Sequence, residues 1–220
     1  MLTTPSVARW TDWATCGSGS ATSCPRIPCA SKKRAIRRRL RALPPRSAKL
    51  AEDETALRLF PPLRAGWARR GEPAPVPISG SNAKRVLFGA INLETGRRLL
   101  LASQRQRGVA FEDFLEEIRY FYRGRHVALL LDEDSSHTAE DSQDTAAELG
   151  IELLWLPVRS PHLNPMDHLW RHGKEVRLAN HQYASIEAQV DRVIGYLSGL
   201  SRWEVLRKAG VLSKDSWLKP

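Results

Sequence analysis

Two short apolar runs constrain the fold more than any other feature of the chain. Residues 126–132 read HVALLLD and residues 151–156 read IELLWL. Both have the length of a strand, and continuous apolar runs of this kind are typical of strands covered on both faces. The segment between them, 136–149, predicts a helix that Gly150 ends as a C-terminal cap. The order strand–helix–strand predicts parallel pairing within an α/β sheet.

Segments on both sides of this unit extend the predicted sheet. Residues 85–93 (RVLFGAINL) and 97–103 (RRLLLAS) are joined by a turn and predict an antiparallel hairpin. The stretch AKLAEDETALRLF, residues 48–60, predicts a strand that runs to about Asp53 and then a second extended stretch. Amphipathic periodicity predicts further helices, which span residues 111–122, 165–179, 185–200 and 201–209. We therefore expect a mixed α/β sheet with helices on both faces.

The positive charge of the chain is concentrated near its N-terminus. The formal net charge is +10, and the first 50 residues hold 11 of the 34 Lys and Arg residues but one of the 24 acids. Such a basic arm suits contacts with phosphates, and the alternative is a solvated, disordered tail. Residues 31–43 could form a short basic helix that Pro44 and Pro45 end. The candidate DNA-binding residues are Lys32, Lys33, Arg34, Arg37, Arg38, Arg39 and Arg41.

Composition excludes several other classes of protein. No apolar run approaches the roughly 20 residues of a membrane helix, and the first residues lack the layout of a signal peptide. We therefore expect an intracellular protein without a membrane partner. The cysteines, Cys16, Cys24 and Cys29, follow no paired spacing and have no nearby histidine, so neither a zinc site nor a disulfide framework is expected. Residues 1–47 are predicted to be a largely disordered arm.

Three aspartates lie at strand ends or at a helix start. Asp53 follows AKLAE, Asp132 ends HVALLL, and Asp167 lies in the first turn of the helix after IELLWL. Each has an ordinary explanation as a cap or turn residue, and Asp167 is the third helical position after the cap Asn164. Ligand sites nevertheless collect at the carboxyl ends of parallel strands. Clustered carboxylates repel unless a divalent cation is present, and two such ions about 4 Å apart suit chemistry at a phosphate.

The segments around these aspartates form a specific set of motifs. They are AEDET with GWARRG, LLLDEDSSHTA and LLWLPVRSPHLNPMDHLW, and 34 residues separate Asp132 from Asp167. This set resembles the catalytic domain of the mariner superfamily of DDE transposases, in particular its bacterial insertion-sequence branch. The D-E-[ST] segment, the W-x-x-x-G element from Trp67 to Gly71 and the S-P-x-L-N-P motif all match. The resemblance covers residues 48–180.

The resemblance implies an RNase H-like fold and a DDE-type transposase, which acts as an endonuclease and polynucleotidyl transferase. Such an enzyme cleaves DNA at transposon ends and joins a 3′-OH to target DNA. The resemblance also implies that Asp53, Asp132 and Asp167 are the catalytic residues and hold two Mg²⁺ or Mn²⁺ ions. Transposon ends and target DNA are the implied partners. A homodimer, and a bacterial cytoplasmic, nucleoid-associated location, are expected.

Other residues of these motifs have weaker assignments. His137 lies five residues after Asp132, where the family also has His, and could orient a phosphate or be an ordinary polar residue of a helix start. Asn164 is an N-cap that could also approach DNA. Glu54 is expected on the strand face opposite Asp53, with a structural role. Trp170 is expected to anchor its helix in the core.

The sequence also departs from the family pattern. Glu133 follows the second Asp where the family often has Asn, and no counterpart of the helix-turn-helix domains that read transposon ends is present. We interpret the chain as a truncated copy, with an arm (1–47), a catalytic domain (48–180) and a helical extension (181–220). The alternative is a catalytically inactive, DNA-binding remnant. A different RNase H-like nuclease is disfavoured by the segment SPHLNPMD.

Overall fold

The computed structural model describes residues 29–67, 75–104 and 107–219. Within these ranges, five strands and seven α-helices form. The strands are β1 (Ala48–Arg58), β2 (Lys84–Asn92), β3 (Arg98–Ser103), β4 (Val127–Leu131) and β5 (Ile151–Trp155). The helices are α1 (Cys29–Ala42), α2 (Arg107–Phe121), α3 (Ser135–Thr138), α4 (Glu140–Glu148), α5 (Pro165–Arg177), α6 (Ile186–Gly199) and α7 (Arg202–Lys208). No helix in the described ranges is long and apolar enough to cross a membrane.

The strands form one mixed sheet in the order β3-β2-β1-β4-β5. The β2–β3 hairpin and the β1–β2 pair are antiparallel, whereas β4 pairs in parallel with both β1 and β5. Helices α3 and α4 make the crossover between β4 and β5. The predicted hairpin, the predicted parallel unit and the mixed α/β sheet flanked by helices are therefore confirmed.

Strand β1 is longer than the sequence predicts. The prediction ended the first extended stretch near Asp53, but one uninterrupted strand runs from Ala48 to Arg58. Strand β2 pairs with β1 residue by residue from Leu50 to Arg58. The ladder therefore holds the acidic segment EDE in extended form, because tertiary pairing outweighs the low strand propensity of acids.

The crossover between β4 and β5 differs from the prediction in two respects. The single helix predicted for residues 136–149 is two helices, separated at Ala139, whose backbone is extended (φ −58°, ψ 142°). The Asp134 side chain accepts a hydrogen bond from the amide of Ser136 and so caps the start of α3. The first helix of the pair therefore has its own N-terminal cap. Gly150 (φ +64°) ends α4 as predicted. Strand β5 lies at the sheet edge and is only partly buried, rather than covered on both faces.

The sheet has an apolar core on each face. One core lies under α5 and α6 and includes Ala51 and Leu57 of β1. The other lies under α2 and includes Ala48 and Leu50. Since side chains alternate along a strand, Asp53 belongs to the α5 face, whereas the acids on either side of it belong to the α2 face.

The basic helix predicted for residues 31–43 is confirmed as α1. Its apolar residues Ile36 and Leu40, with Leu43, are buried in the core under α5 and α6. Arg39 makes two hydrogen bonds to Glu152 of β5, at 2.5 and 2.8 Å. This helix is therefore packed on the body of the protein. Residues 1–28 of the predicted disordered arm, with Cys16 and Cys24, lie outside the described residues.

Candidate active site

Strands β1 and β4 bring Asp53 and Asp132 together. Ala51 pairs with Leu130 in the parallel register of these strands, and two residues further along the same register place Asp53 beside Asp132. Asp53 is largely buried within β1, whereas Asp132 lies just beyond the end of β4 and is 49 % exposed. The sheet therefore presents two of the three predicted catalytic carboxylates at adjacent positions.

Two side chains of the S-P-x-L-N-P motif and its extension fasten α5 to β1. The Asn164 amide donates to the backbone carbonyl of Glu52 at 2.6 Å, and the Trp170 indole N–H donates to the carbonyl of Asp53 at 3.1 Å. Asp167 lies between these two contacts along α5. The motif therefore fixes the position of the third aspartate relative to the first.

Asn164 and Trp170 confirm the local predictions made for them. The Asn164 side chain accepts from the amide of Met166 at 3.0 Å, which makes it the N-cap of α5. Because it is buried and both ends of its amide are bonded within the chain, its supporting role is to position α5. Trp170 is buried in the core under α5, as expected for an anchor.

Gly89 on β2 allows α5 to approach the sheet closely. It pairs with Asp53 across the β1–β2 ladder. A Cβ atom at Gly89 would lie 2.4 Å from the Cε of Met166 and 2.6 Å from the Cζ2 of Trp170. Only a residue without a side chain therefore fits at this position of β2, against the start of α5.

Gly89→Ala is expected to lower the free energy of unfolding by about 1–3 kcal/mol, because overpacking forces neighbouring side chains out of their preferred rotamers. Urea-induced unfolding followed by circular dichroism measures this change. Gly195→Ala is the matched control, since a Cβ there meets no atom within 4 Å and Ala favours a helix interior by up to about 1 kcal/mol. Equal stability of the two variants would contradict the close packing described for α5.

The electrostatics of this site favour a bound cation. Burial is the largest cause of a pKa of about 9 for Asp53, followed in order by the carboxylates of Glu52, Glu54, Asp167 and Asp132. A group of like charges in a desolvated position is unfavourable by itself. The donor set therefore fits a hard divalent cation, whose charge would offset this repulsion.

Two cationic residues of α5, which the motifs did not indicate, also face the acids. Arg171 donates to Asp167 at 2.6 Å. Burial lowers the pKa of Lys174, and the nearby carboxylates of Asp53 and Asp167 oppose that shift. The signal was available in the sequence, because residues four and seven positions after Asp167 share its helix face.

His137 lies on the other side of Asp132. Its Nδ1 is 3.1 Å from Asp132 Oδ1, and its Nε2 is 3.5 Å from Glu52 and 3.4 Å from Glu54. Glu54 therefore faces away from Asp53, as predicted. The sequence analysis did not single out Glu52, although the alternation of a strand places it beside Glu54.

Among the described residues, the ligand atoms of Glu52, Glu54 and His137 all lie within 4.8 Å of one another. Asp53, Asp132 and Asp167 do not form a group this compact, although both other carboxylates are near enough to affect the pKa of Asp53. Their assignment as catalytic residues and metal ligands stays a prediction.

The candidate DNA-binding residues of α1 differ in their surroundings. Lys32 pairs with Glu133 at 2.5 Å, next to Asp132, and Arg39 pairs with Glu152. Arg37 donates to the carbonyl of Lys219 at 3.3 Å, and Lys33 is partly buried. The exposed guanidinium groups belong to Arg34, Arg38 and Arg41. Part of α1 is thus anchored beside the acidic site, and part of it presents positive charge to solvent.

Of the predicted W-x-x-x-G element, the structure describes Trp67 alone, which is fully exposed. The rest of the element, residues 68–71, lies outside the described ranges. Within the described ranges, the side chains around the acids come from β1, β4, α1, α3 and α5.

Comparison with known families gives a match over most of the described chain. A family model described as DDE superfamily endonuclease matches residues 50–189. The insertion element IS630 uncharacterized 39 kDa protein of Shigella sonnei is 26 % identical over 152 residues, which are 68 % of this chain and 44 % of that protein. The transposable element Tcb2 transposase of Caenorhabditis briggsae is 36 % identical over 78 residues, 32 % of this chain and 29 % of that protein. The chain thus spans less than half the length of these relatives.

Solved structures of Mos1 transposase have the same fold. The paired-end complex with the left transposon end gives a TM-score of 0.67 at 18 % identity, covering 99 % of this chain and 65 % of that chain. The catalytic domain of Mos1 mariner transposase gives a TM-score of 0.60 at 18 % identity, covering 86 % of this chain and 88 % of that chain. The mariner Mos1 paired-end complex with Mg gives a TM-score of 0.65 at 19 % identity, covering 99 % of this chain and 65 % of that chain. The predicted RNase H-like fold is therefore confirmed.

Proposed function

The chain belongs to the DDE superfamily of endonucleases, and we propose that it cleaves and joins DNA strands with Asp53, Asp132 and Asp167 as its catalytic carboxylates. The observation that carries this proposal is the attachment of α5 to β1 through Asn164 and Trp170. These contacts direct Asp167 toward the strand end where Asp53 and Asp132 are neighbours. The two hydrogen bonds, one of them donated by the buried indole, join α5 to β1 across more than 110 positions of sequence.

We propose that Mg²⁺ or Mn²⁺, as two ions, is held by these three aspartates. The raised pKa of Asp53 supports this assignment, because a cation would offset both the burial and the carboxylate repulsion that favour the protonated form. When bound, two such ions activate a nucleophile at a phosphate and stabilise the leaving oxygen. The protein contributes rigidity, since β1 and the anchored start of α5 hold two of the ligands. Lys174, close to Asp53 and Asp167, adds a positive charge that would attract a phosphate.

DNA is the proposed substrate, as both transposon end and target. The Mos1 transposase complexes contain transposon ends, and α1 of this chain supplies a basic surface whose anchored residue Lys32 contacts Glu133 beside Asp132. A DNA strand lying on α1 would therefore lead toward the carboxylates. We propose that residues 48–180 are the catalytic domain, with α1, α6 and α7 packed on it, and that the enzyme acts as a homodimer.

Replacing Arg34 and Arg38 by Gln is expected to weaken binding of duplex DNA and to reduce its salt dependence. Loss of two phosphate contacts would lower the slope of log K against log salt by about 1.8, since each contact contributes about 0.9. Fluorescence anisotropy with a labelled duplex at several salt concentrations measures the slope. Arg192→Gln with Lys214→Gln removes the same charge at exposed positions outside α1 and serves as the control. Equal slopes for the two double variants would exclude α1 as the DNA-binding surface.

Nicking of supercoiled plasmid in Mn²⁺, Mg²⁺ or EDTA tests the proposed activity. We expect the wild type to nick the plasmid with either metal and not in EDTA. Asp132→Asn, which preserves shape and removes one carboxylate charge, should be inactive with both metals. Absence of nicking by a folded wild-type protein that still binds DNA would favour the inactive, DNA-binding remnant. Equal nicking by both proteins would remove Asp132 from the mechanism.

A further inference from the structure

A second cluster of potential ligands lies on the α2 face of β1, opposite Asp53. Glu52 and His137 are fully buried there. Among the described residues, neither carboxylate oxygen of Glu52 has a hydrogen-bond partner, and neither does His137 Nε2. Buried polar atoms are almost always bonded, because leaving them unpaired costs several kcal/mol. These three atoms therefore have hydrogen-bonding capacity that the described residues leave unused.

Two separations within the cluster exceed ordinary hydrogen-bond lengths and are compatible with metal ligands. His137 Nε2 lies 3.5 Å from Glu52 Oε2 and 3.4 Å from Glu54 Oε2, beyond the usual 2.7–3.2 Å of a hydrogen bond from nitrogen to oxygen. Tetrahedral bonds of 2.0–2.2 Å place neighbouring ligand atoms about 3.3–3.6 Å apart. The separations of His137 Nε2 from Glu52 and Glu54 fall in that interval.

The outer contact of His137 also has the arrangement typical of a metal ligand. Its Nδ1 lies 3.1 Å from Asp132 Oδ1 and 3.2 Å from the Asp132 carbonyl. Histidines that bind metals usually donate the other ring N–H to a carboxylate or carbonyl, which fixes the tautomer. With the proton on Nδ1 alone, Nε2 would offer its lone pair to a cation beside Glu52 and Glu54.

We propose that Glu52, Glu54 and His137 bind one transition-metal cation of the Zn²⁺ class, at a site separate from the three aspartates. One imidazole with two carboxylates suits Zn²⁺ better than Mg²⁺, which prefers oxygen ligands alone. The cation would offset the buried charge of two glutamates, so its role is structural. Burial and the neighbouring acids Glu54, Asp132 and Asp134 also raise the pKa of Glu52 to about 8, although His137 opposes this shift.

The site would also connect to the catalytic carboxylates. Asp132 contacts His137 on one side and adjoins Asp53 on the other. Asp132→Asn should therefore weaken binding of the proposed cation by about 10–100-fold, the usual effect of altering an outer partner of a metal ligand. This effect does not depend on catalysis, because binding alone is measured.

Titration of the metal-free protein with Co²⁺ alone tests the proposal. Four-coordinate Co²⁺ absorbs visible light strongly, whereas a six-coordinate carboxylate site absorbs weakly. We expect the wild type and the double variant Asp53→Asn/Asp167→Asn each to bind one Co²⁺ per chain with the intense spectrum. His137→Gln and Glu54→Gln should each lose the intense bands. Melting curves in EDTA identify any variant that fails to fold. If either His137→Gln or Glu54→Gln fails to fold, the spectrum of the other variant tests the proposal.

Three results would overturn the proposal. A wild-type spectrum with weak bands alone would mean that His137 is a buried counter-ion for Glu52 and Glu54, with no metal. Intense bands that persist in folded His137→Gln would place the ion elsewhere. Loss of the intense bands in the Asp53→Asn/Asp167→Asn variant would instead assign the ion to the aspartates. None of these readings depends on whether the protein nicks DNA.

Discussion

Asp53→Asn is expected to abolish metal-dependent nicking and to stabilise the protein in EDTA. The activity should fall by more than about 100-fold, because loss of a direct ligand exceeds the 10–100-fold effect of altering an outer partner. The stability should rise because burial and neighbouring carboxylates raise the pKa of Asp53 from 3.8 to about 9. The folded protein then binds a proton that the unfolded chain releases. Wild-type stability from this group therefore falls as the pH rises from about 4 to about 9, whereas Asn has no such dependence.

Thermal melting in EDTA at about pH 5 and about pH 8 measures this difference. The stabilisation by Asp53→Asn should be larger at the higher pH. We expect a gain in the free energy of unfolding of at least about 1 kcal/mol there, which corresponds to a rise in Tm of about 2–4 °C. Asp191→Asn, the same change at an exposed position of α6, should alter neither Tm nor nicking. Adding Mn²⁺ should raise the Tm of the wild type more than that of Asp53→Asn, since a ligand stabilises the state that binds it. A variant that melts below the wild type at both pH values would refute this electrostatic interpretation.

Trp170→Ala is expected to cause the largest loss of stability among single substitutions in α5. Removing a buried indole costs about 3–5 kcal/mol, and the carbonyl of Asp53 loses the hydrogen bond from Trp170 Nε1. Unfolding in urea should show this decrease in free energy. Nicking should decrease as well, because α5 would no longer be fixed to the strand that carries Asp53.

The matched control is Trp203→Ala on α7. Trp203 is 60 % exposed and contacts Arg207 through its ring face. Its removal is expected to change the free energy of unfolding by less than about 1 kcal/mol, the range of exposed cation–π contacts. If the two Trp variants were equally stable, Trp170 would not be the anchor of α5. Trp170→Phe, which retains most of the ring, separates the packing effect from that of the hydrogen bond.

The sequence predicted most of the fold because its signals are local. The apolar runs at 127–131 and 151–155 gave the parallel strands, and Asn164 with Pro165 marked the start of α5. Strand alternation alone placed Glu54 on the face opposite Asp53. The break at Ala139 and the length of β1 were missed, since both depend on capping and pairing partners that no local pattern specifies.

The site was harder to predict because its contacts join distant segments. Asn164 reaches the carbonyl of Glu52 across 112 positions, and Gly89 makes room for Met166 and Trp170 from a third segment. The burial of His137 likewise depends on α2 and β1. The centroid of its ring lies 4.5 Å from the ring centroid of Phe111 in α2. Motif spacing identified the aspartates, but not the partners that hold them in place.

The central claim, that Asp53, Asp132 and Asp167 jointly hold divalent ions, is tested most directly by anomalous diffraction from crystals grown with Mn²⁺. We expect two anomalous peaks at the carboxyl end of β4, beside Asp53 of β1, each within coordination distance of at least two of the three aspartates. Crystals of Asp132→Asn should lack at least one of them. No peak among these aspartates at saturating Mn²⁺, or a peak confined to Glu52, Glu54 and His137, would contradict the claim.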